Sequence, residues 1–196
     1  MRALIFPSMF TLPFISQPHL AFALQLLRKS CATESPDHIQ VLVQGMPICF
    51  PYRVYFVPDD VYAASRVPGV TSQVALCLGT RHHDGFVRGE CLRRLLSVQA
   101  PWVAPFVLQL LGEYVVEITS HIDGALSDRT LAQYVEFARE NPAHMHRLNQ
   151  QAISYWNVYY RRAYPERQTY PALRVLGRLA LLAGCKPDAW HTAGLP

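Results

Sequence analysis

The sequence predicts a mostly α-helical chain with a small β-hairpin near its N-terminal end. Three observations carry that expectation. From Thr71 onward, apolar residues recur at helical spacing in runs opened by Asp or Pro and closed by Gly or Pro. Between Ile39 and Val57 the pattern changes to alternation and β-branched residues around Gly45. The composition, 196 residues with 51% hydrophobic and 16% charged, is that of one globular domain. It excludes a disordered, collagen-like or low-complexity chain.

Each element follows in order. Residues 1–17 are apolar and interrupted by proline, which predicts an irregular arm lying on the core. Pro18 opens a short helix through Leu20, Leu24 and Leu27, ending near Lys29. Ser30 to Asp37 is a polar connection. Ile39, Val41 and Val43 then alternate with Gln40, Leu42 and Gln44, and Gly45-Met46-Pro47 turns the chain into a second strand, Ile48 to Val57. A hairpin this small needs helices to pack on. Pro58-Asp59-Asp60 starts a turn, with a helical turn at Val61–Ser65.

The helical part starts with Val74 to Leu78. His82-His83-Asp84-Gly85 breaks the chain, and Asp84 caps a helix from Phe86 to Val98. That helix is expected to pack by Val87, Leu92 and Leu95 against the next one, which Pro101 opens and Gly112 punctuates. Glu113 to Leu126 continues as helix. Ser127-Asp128 caps another, with Leu131, Tyr134, Val135 and Ala138 at i, i+3, i+4, i+7. Asn141-Pro142 starts a helix reaching Ala163, with Tyr155, Trp156 and Tyr159 on its buried side and Arg147 and Arg161 opposite. Pro171 opens the last helix, and Gly184 and Pro187 stop it. The organisation is therefore an arm and short helix (1–37), a hairpin and connection (38–70), a helical array (71–186) and a frayed tail (187–196) within one domain.

Asp84-Gly85-Phe86-Val87-Arg88 and Gly112-Glu113-Tyr114-Val115-Val116 are weakly self-similar, 28 residues apart, with Pro101-Trp102-Val103-Ala104-Pro105 between them. This resembles HEAT-type α-helical repeats, in which Val-Arg in one helix and an early Pro in the other recur. Val87-Arg88 and Pro101 match that pattern over about residues 71–126. Arg88 falls inside the apolar arc of its helix, as the polar contacts between repeats of that family do; Val116 stands where a second Arg would continue the ladder. The resemblance implies a HEAT-like helical array that presents a binding surface and stacks its units to bury their faces.

Charge is uneven. The chain carries a formal +4, yet 141–186 holds seven basic residues against one acid. Sixteen of its eighteen Lys and Arg are arginines, which suit bidentate pairing with carboxylate or phosphate. Arg147, Arg161, Arg162, Arg174 and Arg178 are the candidate basic patch, with an acidic protein surface as the expected partner and nucleic acid as the alternative. Tyr155 to Arg162 interleaves aromatics with arginines, as a nucleic-acid binder does.

Five cysteines without a C-x-x-C motif fit buried, reduced thiols and a cytoplasmic protein. Met1-Arg2, the apolar run Ala3 to Ile15 and Ala21-Phe22-Ala23 have the outline of a secretory leader, but Pro7 and Pro13 interrupt it. No membrane span is expected, because Pro13, Gln17, Pro18 and His19 sit within the candidate stretch. No Gly-rich phosphate loop or G-x-S-x-G occurs, and no cofactor is expected.

His82, His83 and Asp84 resemble a histidine–aspartate hydrolase cluster, and Glu117 and His121, with Glu113, would share one helix face at i, i+4 spacing. No complete ligand set stands at diagnostic spacing, so metal binding is the third reading. The leading expectation is a non-enzymatic protein-interaction module.

Overall fold

The computed structural model describes residues 11–30, 32–126 and 128–184. Residues 1–10 of the arm, the expected cap Ser127 and the tail 187–196 lie outside them. The described chain is mostly helical, with a small antiparallel hairpin on its N-terminal side.

The arm reaches the core by a backbone bridge between Thr11 and Cys49, with Leu12 and Ile15 buried beside it. Helix α1 (Gln17–Leu27) buries Leu20, Ala23, Leu24 and Leu27, one stripe at 3.6 spacing. Strand β1 (Ala32–Glu34) falls in what reads as a polar connection. It pairs with β4 (Val54–Phe56), which gives these short segments their hydrogen bonds. Strands β2 (His38–Val43) and β3 (Met46–Pro51) form the hairpin, with Ile39, Val41 and Val43 facing inward.

The hairpin turn is Gln44-Gly45, one step earlier than the sequence suggested. Both residues have positive φ, 52° and 76°, the two-residue geometry that matches strand twist. The Glu140 carboxylate accepts from both turn amides, and the Asn141 side chain bonds the Leu42 N–H and C=O like a neighbouring strand. Asn141 therefore does not cap its own helix by its side chain, as Asn-Pro suggested.

Helix α2 (Pro58–Ala64) leads to α3 (Val70–Gly79), which is buried from Val74 to Gly79. Helix α4 (Gly85–Leu95) starts at Asp84, whose carboxylate accepts from Phe86 N–H at 2.8 Å. Gly79 sets the approach of α3 to α4: a Cβ there would lie 2.3 Å from Cys91 Sγ. Helix α4 packs chiefly on α3 and on α6, so its Val87–Leu92–Leu95 face is buried, though mainly not against the Pro101 helix.

That next helix is broken into a 3-10 turn (Pro101–Val103), α5 (Ala104–Leu108) and a second 3-10 turn (Gln109–Gly112), and nearly all of it is buried. Helix α6 (Val116–Ala125) follows, then α7 (Asp128–Glu140), whose Leu131, Tyr134, Val135 and Ala138 are buried as the spacing predicts. Helix α8 (Pro142–Tyr155) runs into a wide π-helical turn, Trp156–Tyr160. Helix α9 (Pro171–Leu182) closes the core by packing on α6, α7 and α8. No helix among the described residues is long and apolar enough to cross a membrane.

Candidate functional site

The histidines and acids considered for a metal have other duties. His82 is buried with both ring nitrogens engaged: Nε2 lies 2.8 Å from the Phe56 carbonyl, and Nδ1 accepts from the Asp84 N–H. Burial holds its pKa below the ordinary value, which keeps the ring neutral. His83 stacks on Tyr55 at 5.1 Å, and Asp84 caps α4. Asp84, Glu117 and His121 line one groove between α4 and α6, with Phe86 and Tyr114. Among the described residues no group of three or more His, Cys, Asp and Glu is arranged to hold a metal ion.

Glu113 leaves the helix face assigned to it. Its backbone is extended (φ −112°, ψ 160°) and α6 begins only at Val116, so it shares no face with Glu117 and His121. Its carboxylate turns inward to three guanidinium groups: Arg53 Nη1 at 2.8 Å, Arg81 Nη2 at 2.6 Å and Arg88 Nε at 2.7 Å. Glu113, Arg81 and Arg88 are fully or almost fully buried. Backbone carbonyls take further donors: Thr80 from Arg81, and His82 and His83 from Arg88.

Arg81 Nη1 is buried with no partner among the described residues. Burial, helped by the charges of Arg53 and Arg88, lowers the Arg81 pKa to about 10 against the opposing pull of Glu113. The sequence signalled Arg88 by its place in an apolar arc. Arg53, Arg81 and Glu113 gave no such signal, because their partners lie 25 or more residues away.

The five candidate patch arginines are distributed rather than pooled. Arg174 pairs with Asp123, and Arg178 donates to the Leu126 carbonyl, so both close onto α6. Arg161 reaches Asn157 and lies over the Trp156 ring, and Arg162 is exposed beside it. Arg147 faces the hairpin. The π-helical turn accounts for part of this. It takes more residues per turn than an α-helix, so Arg147 and Arg161 lose the four-turn phase that a uniform helix would give them.

The same turn re-aims the aromatics. Tyr159 is 65% exposed instead of buried, beside exposed Val158, while Tyr155 and Trp156 are half-buried. Tyr159 stacks on Tyr155, and Tyr155 lies 6.2 Å from Tyr114. Tyr160 donates to the Tyr114 carbonyl and ties the turn to the start of α6. Phe86, 90% exposed, lines the α4–α6 groove with Tyr114. Phe86 and Tyr114 thus share the groove, and ring contacts run on from Tyr114 through Tyr155 to Tyr159, an aromatic face with exposed Val158 next to Tyr159 in the chain.

A second concavity, a cleft of about 410 Å³, lies between the hairpin and α8. Its lining includes His38, Gln40, Tyr52, Gln109, His144, Arg147 and Gln151, and no carboxylate among the described residues. The His38 Nδ1 donates to the Pro36 carbonyl at 2.9 Å, which leaves Nε2 of the neutral ring as an acceptor. Arg147 Nη2 lies 3.4 Å from His144 Nδ1; a guanidinium only donates, so the His144 proton sits on Nε2. His38 Nε2, His144 Nε2 and Gln151 Oε1 are buried without a partner among the described residues.

Burial first, then the charges of Arg147 and Arg81, pushes the His144 pKa down to about 4. The unfolded chain binds this proton with a pKa near 6.5, so stability is full above that value and falls as pH drops toward 4. At pH 5 the loss from this ring is about 1–2 kcal/mol. Urea unfolding at pH 7 and pH 5 should show the wild type losing that much more than His144→Gln. Equal losses in the two proteins would place the acid sensitivity elsewhere.

Compared with protein-family models, with curated proteins and with solved structures, the chain matches none of them, so the reading of its surfaces rests on their geometry.

Proposed function

We propose that the chain is a non-enzymatic protein-interaction module whose binding surface is the aromatic face around Phe86, Tyr114 and Tyr159. The observation that carries this reading is the exposure of Phe86, 90%, at the rim of a groove rather than alone on a flat surface. Contiguous exposed apolar groups on a folded chain cost solubility unless a partner covers them. Large aromatics at the centre of a patch are the residue types that carry binding energy. Exposed Arg161 and Arg162 follow Tyr159 by two and three residues, which favours a partner with an apolar segment flanked by acids.

The test is capture from lysate at physiological salt with the wild type and with a Phe86→Ser, Tyr159→Ser double variant. Both side chains are exposed, so the melting temperature should stay within about 2 °C. The expected result is a partner retained by the wild type and weakened at least tenfold by the double variant. A variant that keeps every partner of the wild type removes the face from consideration.

A second reading, nucleic-acid binding, is favoured by one observation: Tyr159 is outside the core and stacked on Tyr155, two and three residues before Arg161 and Arg162. Rings so placed can stack on bases while guanidinium groups meet phosphate. A single-stranded oligonucleotide bound with steep salt dependence and released by Tyr159→Ser would select it over the protein partner.

A further inference from the structure

We propose that the cleft between the hairpin and α8 is a binding site for a small phosphomonoester with a hydroxylated body, such as a sugar phosphate or mononucleotide. The site is separate from the aromatic face and does not depend on it. Its chemistry is one-sided. His38, Gln40, Tyr52, Gln109, His144, Arg147 and Gln151 line it, and no acid stands among the described lining residues to repel an anion.

The surroundings add to the positive potential. Buried Arg81 and Arg88 and half-buried Arg53 share the carboxylate of Glu113, which leaves an excess of cation beside it. The charge of Arg81 acts on the His144 ring, and Arg53 lies 4.8 Å from the centre of the Tyr52 ring. A low-dielectric wall carrying that excess concentrates anions in the cleft beside it.

Hydrogen bonding points the same way. Buried polar atoms are ordinarily satisfied, yet the His144 Nε2 donor is without a partner among the described residues, as an anion would require, while the unpartnered acceptors His38 Nε2 and Gln151 Oε1 suit hydroxyls; all three belong to lining residues. Arg147 supplies a planar fork suited to phosphate, with its side chain exposed and held near His144 at 3.4 Å. Gln40, Gln109 and Gln151 supply amides that both donate and accept, the match for hydroxyls on a sugar. A volume of about 410 Å³ suits such a ligand.

Isothermal titration with the full chain should use four probes: ribose 5-phosphate, adenosine 5′-monophosphate, ribose and inorganic phosphate. The proposal expects binding of at least one phosphate ester, at least tenfold tighter than inorganic phosphate, and none of ribose. Arg147→Met, which alters an exposed head, should weaken the ester at least tenfold, while Arg161→Gln should leave it unchanged. Proton resonances of His38 and His144 should shift on titration in the wild type. Absence of ester binding at 10-millimolar order, equal binding of inorganic phosphate, or an ester affinity indifferent to Arg147→Met each overturns it.

Discussion

Glu113→Gln should destabilise the fold by about 3–5 kcal/mol, the range for breaking a buried ion pair from one side. The substitution keeps the shape of the side chain and one acceptor oxygen but removes the charge. Arg81 and Arg88, 0% and 2% exposed, are then left with no counter-ion in a place that water does not reach. Arg53 retains some access to solvent and can relax outward. Urea unfolding measures the difference. Adding Arg81→Met to Glu113→Gln should recover part of the loss, because it removes one stranded cation. A Glu113→Gln variant within about 1 kcal/mol of the wild type would show that the arginines are neutralised by something other than this carboxylate.

Leu95→Ala should cost about 2–5 kcal/mol. Leu95 is fully buried at the end of α4, whose apolar face packs on α3 and α6. Loss of the isopropyl group beyond Cβ leaves a cavity that the surrounding helices fill only in part. The approach of α3 to α4 is already fixed one turn earlier, where Gly79 meets Cys91. Leu96, a half-buried neighbour, should cost less than half as much when cut back to Ala. Comparable losses at the two positions would mean that the face is not the packing surface of α4.

Elements whose cause is local were legible in the sequence. The Asp84 cap, the prolines that open α1, α8 and α9, and the stripe of α7 each depend on residues a turn or two apart, and the structure has them all. The alternation of β2 gave the correct inward face for the same reason. What was not legible depends on distant partners. Strand β1 exists because β4, some 22 residues on, offers it hydrogen bonds. Glu113 reads as the first residue of an exposed helix face because nothing near it announces Arg53, Arg81 and Arg88.

The π-helical turn at Trp156–Tyr160 is a third kind of miss. It leaves the apolar periodicity of the sequence almost intact while changing which residues reach solvent, so Tyr159 reads as a core residue although it is exposed. The cleft was missed because its lining comes from β2, Tyr52, Gln109 and α8, four segments that no spacing rule connects.

The order of charges along the chain also bears on how the protein is made. A ribosome delivers Arg53, Arg81 and Arg88 before it delivers Glu113, the one carboxylate they share. Until that residue leaves the exit tunnel, burying Arg81 and Arg88 would leave both cations without their counter-ion. Those two side chains are therefore expected to stay hydrated until Glu113, placed past the middle of the chain, has been added, so the packing around them is expected to come after its synthesis.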